Sequence, residues 1–475
     1  MSTLPDVTEQ IGDGALGLVP QSTDNVVLKV GICSQGTANE IYSFNDKNTL
    51  VETLGAGPLV DALALSLDIA GGPVLGARIA SSTAGACGSV TQVGTGVAVL
   101  VASGAAYDSY DVKVKITRGG ATLAAVTAAF IYSLDGGNTW SQEVAVPVGG
   151  VYVIPGTNVT LTFTDGSGTD FVVGDVYSFA TTAPLFDLTA LESALAAILT
   201  DTRLWDCVHV VGPAATVSAA ASMAAALDTI LAGAAANFRY AFAIIEVPHD
   251  TDANVIAGFA STTSKRVMAC ADTATLLSTV TGLELHRSSA WEVAARIAQV
   301  PIHEDLGRVA TGALTGVLAL QRDEQVTPAL DAARLTTLRT IIGMPGFWIT
   351  QGRMLAPPGS DFTFVQNRRV MDKACTIARA ALLHFLNDSL VLQTDTDQNP
   401  GAVTEKQART IEAYVNSELT SGLAGHVTKA YVLVDRTHNV NADQELPVKV
   451  RVQPFGYAKF ITVDIAFENP ALQAS

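Results

Sequence analysis

Apolar and polar positions alternate along the chain in three different ways. The run VVLKVGIC (26–33) is apolar and β-branched, the pattern of a strand buried on both faces. Asn45 is placed to cap a short helix carrying Leu50, Val51 and Leu54 and stopped at Gly55. A second helix, 58–69, ends at Gly71-Gly72, and PVLGARIA (73–80) reads as another strand. The rhythm resumes after Pro184 with a helix at 188–199, the strand WDCVHVVG (205–212), an alanine-rich helix at 214–235, and the strands YAFAIIEV (240–247) and KRVMACA (265–271). Ser289 and Glu292 have capping-box spacing ahead of Val293, Ile297 and Val300, and Thr327-Pro328 predicts a helix reaching about Ile342. Strands alternating with helices predict a discontinuous α/β middle domain over 26–86 and 184–360.

Between these halves the pattern changes. Residues 87–183 hold 14 of the 40 glycines, three basic and seven acidic residues. Short β-rich runs are separated by Gly119-Gly120, Asp135-Gly136-Gly137, Gly149-Gly150 and Asp165-Gly166, which are hairpin signals. An inserted, β-rich, sandwich-like outer domain is expected there.

The last third changes again. Val370, Ala374, Ile377, Ala378, Ala381 and Phe385 make one helical face, and Thr404 with Gln407 opens a helix bearing Ala408, Ile411, Val415 and Leu419. Three strands are then expected: KAYVLVD (429–435), LPVKVRVQ (446–453) and KFITVDIAF (459–467), the last strictly alternating at Ile461, Val463, Ile465 and Phe467. This predicts a C-terminal α+β domain over 361–454, followed by a strand or arm over 455–475. Residues 1–25 show no sustained period and read as an extended N-terminal arm. The fold class is therefore α/β and α+β multidomain, with extended terminal arms.

Charge sharpens that division. The 475 residues include 45 acidic and 28 basic side chains, a net of −17, with 48% hydrophobic residues. Such a chain repels phosphate backbones, so direct nucleic-acid binding is not expected. A chain this apolar and this poor in charge also points to burial between subunits. From Asp361 onward there are 11 basic and 13 acidic residues, a net of −2, leaving −15 for the rest. The arm 1–25 carries Asp6, Glu9, Asp13 and Asp24 and no basic residue. Arg368, Arg369, Lys373 and Arg379 fall on the polar side of their helix, and Lys449 and Arg451 alternate with valines on one strand face. An acidic arm added as a strand beside a basic sheet would gain backbone hydrogen bonds and charge complementarity together.

Signals for chemistry are weak by comparison. Gly12-Asp13-Gly14-Ala15-Leu16-Gly17 matches GxGxxG in letters, but no strand precedes it and no helix follows. His303-Glu304-Asp305 lacks metal-site spacing and is expected in a solvated loop, while His209 sits in an apolar strand as a core histidine. Five scattered cysteines without CxxC argue against a disulfide framework or structural zinc and for buried free thiols. The start carries no secretory pattern, and the alanine-rich run is broken by Asp228, so no membrane insertion is expected. No catalytic residue, cofactor or metal ligand is assigned, and no enzyme activity is expected.

Two stretches carry a family resemblance. LGAGPLVDALALSLDIAGGPVLGARIA (54–80) resembles the helix and Gly-Gly-Pro strand lead-in of contractile tail sheath proteins of myovirus-type phages and related injection systems. FTFVQNRRVMDKACTIARAALL is similar to the arginine-rich helix opening the sheath C-terminal domain, and VLVDRTHNV with LPVKVRVQPFGYAKFITVDIAF resembles its closing strands. The resemblance implies a structural subunit that polymerises as stacked hexameric rings in a helical sheath around an inner tail tube. Such a sheath contracts to drive the tube through the target envelope, with baseplate and tail terminator proteins as further partners. It implies a location in a virion tail or injection particle assembled in the host cytoplasm. The expected subunit and tube interface comprises Asp6, Glu9, Asp13, Arg368, Arg369, Lys373, Lys449, Arg451, Ile461, Val463 and Ile465. The alternatives are a carbohydrate-binding adhesin or tail decoration protein using the β-rich insert, or an α/β enzyme.

Overall fold

The computed structural model describes residues 24–125 and 127–467, and the chain divides between Thr376 and Ile377 into two compact units. The first is built on a six-stranded sheet in the order Val267–Cys270, Phe242–Glu246, Cys207–Val210, Val27–Gly31, Val74–Arg78, Ile41–Phe44. The first five strands are parallel and the last is antiparallel. Every residue of Val27–Gly31, Cys207–Val210, Phe242–Glu246 and Val267–Cys270 is buried, as parallel strands covered on both faces require. Val27, Cys207, Phe242 and Ile244 share one core with helices Pro58–Ala70 and Ala290–Gln299. Leu28, Val30, Val208 and Val210 share the other with helices Leu188–Ile198 and Val217–Ala236.

The helix Val217–Ala236 is long and apolar enough to cross a membrane. In this fold its Val217, Ala220, Met223, Ala224, Leu227 and Leu231 pack on the sheet instead.

In the insert, Val151–Ile154, Val159–Thr164 and Val99–Ser103 form a three-stranded antiparallel sheet. A second antiparallel sheet is built around Val176–Thr182, Asp111–Arg118 and Ala129–Ser133. Both sheets bury their inner faces in one core containing Leu100, Val114, Phe130, Leu161, Phe163, Phe171 and Tyr177.

Four local expectations are corrected. Asp46, one position after Asn45, caps the first helix, its Oδ1 accepting from Thr49 N–H at 2.8 Å. Ser289 makes no side-chain cap: its backbone is already helical and helix Ala290–Gln299 is buried along most of its length. No helix follows Thr327-Pro328. The Glu324 carboxylate captures the Ala329 and Asp331 N–H groups at 2.8 and 3.1 Å, and Leu338–Ile341 pairs as a strand with Met344–Ile349. Thr404 stands at the start of helix Glu405–Gly422 without a side-chain cap bond.

The second unit contains helix Glu405–Gly422 packed on an antiparallel hairpin, Lys429–Val434 with Val448–Gln453. Ala408, Ile411, Val415 and Leu419 are fully buried, along with Val432 and Val434 on the hairpin. The third expected strand, 459–467, does not form: residues 460–467 carry no strand assignment and join no ladder among the described residues. Their alternating side chains stand exposed.

Candidate polymerisation surface

The closing hairpin has two unlike edges. Asp435 N–H donates to Pro447 O at 2.9 Å, which fixes which residues turn their backbone inward. By the two-residue alternation of an antiparallel ladder, Val432 and Val434 turn outward on one strand and Val448, Val450 and Val452 on the other. The first edge is sealed. Val432 N–H donates to Asn416 Oδ1 at 3.0 Å, and Val434 N–H to Glu412 Oε1 at 2.8 Å. Glu412 is held by a two-pronged bond to Arg436 at 2.8 and 2.9 Å, which keeps its carboxyl below the ordinary value. The Val448–Gln453 edge has no such side-chain cover among the described residues.

Lys449 and Arg451 stand exposed on this strand while Val448, Val450 and Val452 are half-buried, the alternation expected from the sequence. The exposed face is extended by Lys429, Tyr431 and Leu433 of the neighbouring strand. Beyond the hairpin, Ile461, Val463 and Ile465 are 79%, 68% and 87% exposed, and Phe460 and Phe467 are exposed as fully. The segment has strand patterning but neither a ladder nor a core among the described residues.

The basic helix face behaves differently. Arg368 and Arg369, expected at the subunit and tube interface, are buried within the chain. Arg368 bonds Asp372 at 2.5 Å and lies 4.3 Å above the Phe362 ring. Arg369 donates to Asn25 Oδ1 at 2.5 Å and to the carbonyls of Ile297 and Val300 at 3.1 and 3.4 Å. Lys373 pairs with Asp24. Asp206, buried beside this group, accepts from Asn25 N–H at 3.2 Å, and burial pushes its carboxyl up to about 7. Arg369 and Lys373 thus hold Asn25 and Asp24, the first described residues of the chain. Asp6, Glu9, Asp13 and the Gly12–Gly17 motif lie outside the described residues.

The sequence reading missed a polar cluster inside the central sheet. Lys29 and His209 are register neighbours on adjacent strands, with Nζ 3.1 Å from Nδ1. His209 Nε2 lies 3.4 Å from Glu246 Oε1, which also accepts from Trp291 Nε1 at 2.8 Å. Glu292 is buried nearby with Oε1 unpartnered. Burial lowers Lys29 to about 8 and raises Glu246 to about 7 and Glu292 to about 8, while His209 is held neutral. A lysine in the middle of VVLKVGIC was the available signal. All four side chains are buried, and the Trp291–Glu246 bond ties the helix Ala290–Gln299 to the sheet.

Of His303-Glu304-Asp305, Glu304 is buried and paired with Arg308 at 2.6 Å rather than solvated, and Asp305 accepts from Gln366 at 2.7 Å. His438, Asp443 and Glu445 come within 4.8 Å of one another at the surface, where His438 and Asp443 pair at 3.0 Å. All five cysteines are free, three buried and two half-buried.

Residues 4–353 match the N-terminal domain of DUF2586 and residues 361–472 its C-terminal domain. The chain belongs to the DUF2586 family. Curated proteins yield no sequence match. Among solved structures, the sheath of an extracellular contractile injection system, the PVC sheath complex in its contracted state, matches at 11% identity and TM-score 0.53, covering 98% of both chains. The contracted helical sheath of the anti-feeding prophage matches at 12% identity and TM-score 0.52, covering 98% of this chain and 100% of that one. A chain of the anti-feeding prophage baseplate matches at 11% identity and TM-score 0.52, covering 99% and 100%. This DUF2586 protein thus has the fold found in contractile sheaths, along nearly its whole length.

Proposed function

We propose that the protein is the structural subunit of a contractile sheath. It polymerises helically around an inner tube, through hexameric rings, and contracts to drive the tube through a target envelope. The observation that carries the reading is the coexistence of an exposed alternating segment, 460–467, that joins no ladder among the described residues, with an edge at Val448–Gln453 that no described side chain seals. A segment of one copy added to that edge in another would satisfy both, giving backbone bonds and a buried apolar face at once. Lys449 and Arg451 would receive the acidic N-terminal arm, residues 1–25, which supplies Asp6, Glu9 and Asp13. Asp24 and Asn25 fix the arm's root through Lys373 and Arg369. Links of this kind tolerate rigid-body rotation of subunits, since the arms bend while the ladders persist.

The inner tube, baseplate and tail terminator are the proposed partners, in a particle assembled in a host cytoplasm. No enzymatic step is needed if the extended polymer is built in a strained state and relaxes on contraction. Deleting residues 1–25 tests the arm directly. The truncated protein should remain folded and soluble yet form no long tubes under the electron microscope, and tubes of normal length would overturn the proposal.

A further inference from the structure

The insert presents a second open edge, unrelated to the arms. The stretch 144–164 contains 21 consecutive residues without an acidic, basic or histidine side chain, in a chain carrying −17 overall. It includes the strands Val151–Ile154 and Val159–Thr164. Phe163 N–H donates to Gly150 O at 2.9 Å, so the inward pairs are Gly150 with Phe163, Tyr152 with Leu161, and Ile154 with Val159. Val151 and Val153 therefore turn their N–H and C=O groups away from the sheet, where no partner meets them among the described residues. Their side chains are 52% and 56% exposed.

The face above this edge is also uncharged. Val151, Thr162 and Val101 form one row across the three strands, Val153, Thr160 and Ser103 the next, and Thr164 with Val99 a third. At the usual strand spacing and rise this grid covers roughly 300 Å², the size of the largest apolar patch on an ordinary monomer. Natural edge strands are normally blunted by lysine, proline or a bulge, and VYVI has none of these.

We infer that Val151–Ile154 is a contact strand for a second copy of this chain, paired antiparallel about a two-fold axis through Tyr152. The outward groups lie symmetrically on either side of Tyr152, so Val151 of one copy faces Val153 of the other and each pair exchanges two backbone bonds. Charge selects the occupant. Two copies of a −17 protein repel over most of their surfaces, and this stretch lets them approach without opposing like charges. The pairing joins two three-stranded sheets into one of six and continues the Val/Thr face across the junction. It is isologous, whereas neighbours in a polar helical tube are related head to tail. It therefore joins free subunits or neighbouring particles and does not depend on the sheath proposal. One such contact is small, but rows of them along an ordered array add by multivalency.

The register supplies the test. Full-length V151C and V153C proteins are mixed in equal amounts, oxidised mildly with oxidised glutathione, and the linked peptides identified by mass spectrometry so that native cysteines are set apart. The mixture should give a 151-to-153 intermolecular disulfide several-fold more abundant than the homodimeric link in either variant alone. V173C, whose site is 63% exposed, should give no comparable link when mixed with either. Absence of the 151-to-153 link, equal yields from single variants, or equal linking through position 173 would each overturn the inference. Both substitutions sit on an exposed face, and unchanged circular dichroism and melting confirm that the fold is intact.

Discussion

Val434 donates its backbone N–H to Glu412 Oε1 at 2.8 Å, and this bond closes one edge of a two-stranded sheet whose other edge has no matching cover among the described residues. Glu412 stands on helix Glu405–Gly422, so the same helix that buries the hairpin's apolar face also seals its side. An added strand is thereby directed to Val448–Gln453. Replacing Glu412 with Ala should cost about 2 kcal/mol, the scale of a charged hydrogen bond lost with Arg436 left unpaired. Chemical denaturation of the full chain checks this. The Glu412→Gln variant, which keeps an acceptor for Val434, should lose less.

Ile461 and Ile465 make no core contact within the unit, so Ile461→Asp and Ile465→Asp should leave melting unchanged to within about 0.5 kcal/mol. Assembly should fail in the same proteins, because a donated strand would bury those side chains. Sedimentation of assembled material together with a thermal melt separates the two effects.

Arg369 should behave in the opposite way. Its guanidinium is buried among Asn25, Asp206 and two backbone carbonyls, and Arg369→Ala would take this donor from Asn25 Oδ1 and the carbonyls and the counter-charge from Asp206. A loss of about 3 kcal/mol in stability is expected, seen in denaturant titration. A variant as stable as the parent would contradict the anchoring role given to this residue.

The buried cluster sets a pH dependence. Glu292 has its carboxyl raised by burial from 4.5 to about 8, so the folded state holds its proton more tightly than the unfolded chain. Its contribution favours the fold fully below about pH 4.5 and is withdrawn as pH rises through 8. Glu292→Gln keeps that position neutral. Its melting temperature should match the parent at pH 4.5 and exceed it at pH 9 by an amount worth roughly 4 kcal/mol. An equal gap at both pH values would show that the side chain's ionisation does not matter.

Much of this architecture is legible in the pattern of residues. Largely apolar runs such as VVLKVGIC announced the parallel sheet, and glycine-punctuated runs announced the antiparallel strands between Val99 and Thr182. The failures share a physical origin. Arg368 and Arg369 look like surface residues on a helical wheel, but Asp372, Asn25 and three carbonyls or rings distant in sequence draw them inside. The 327–342 segment has a helix start, yet the Glu324 carboxylate takes the N–H groups of its first turn. The segment 460–467 has the clearest alternation in the chain and joins no ladder among the described residues, because periodicity specifies a face to bury and not the molecule that buries it. The sealing of one hairpin edge was invisible for a similar reason: Glu412 and Asn416 read as ordinary polar positions on a helix.

The most direct test of the central claim is electron cryo-microscopy of the purified full-length protein after assembly. The account predicts hollow striated tubes in which residues 459–467 of one copy lie as a strand along Val448–Gln453 of another. Discrete particles without tubes, or tubes in which that edge stays bare, would contradict it.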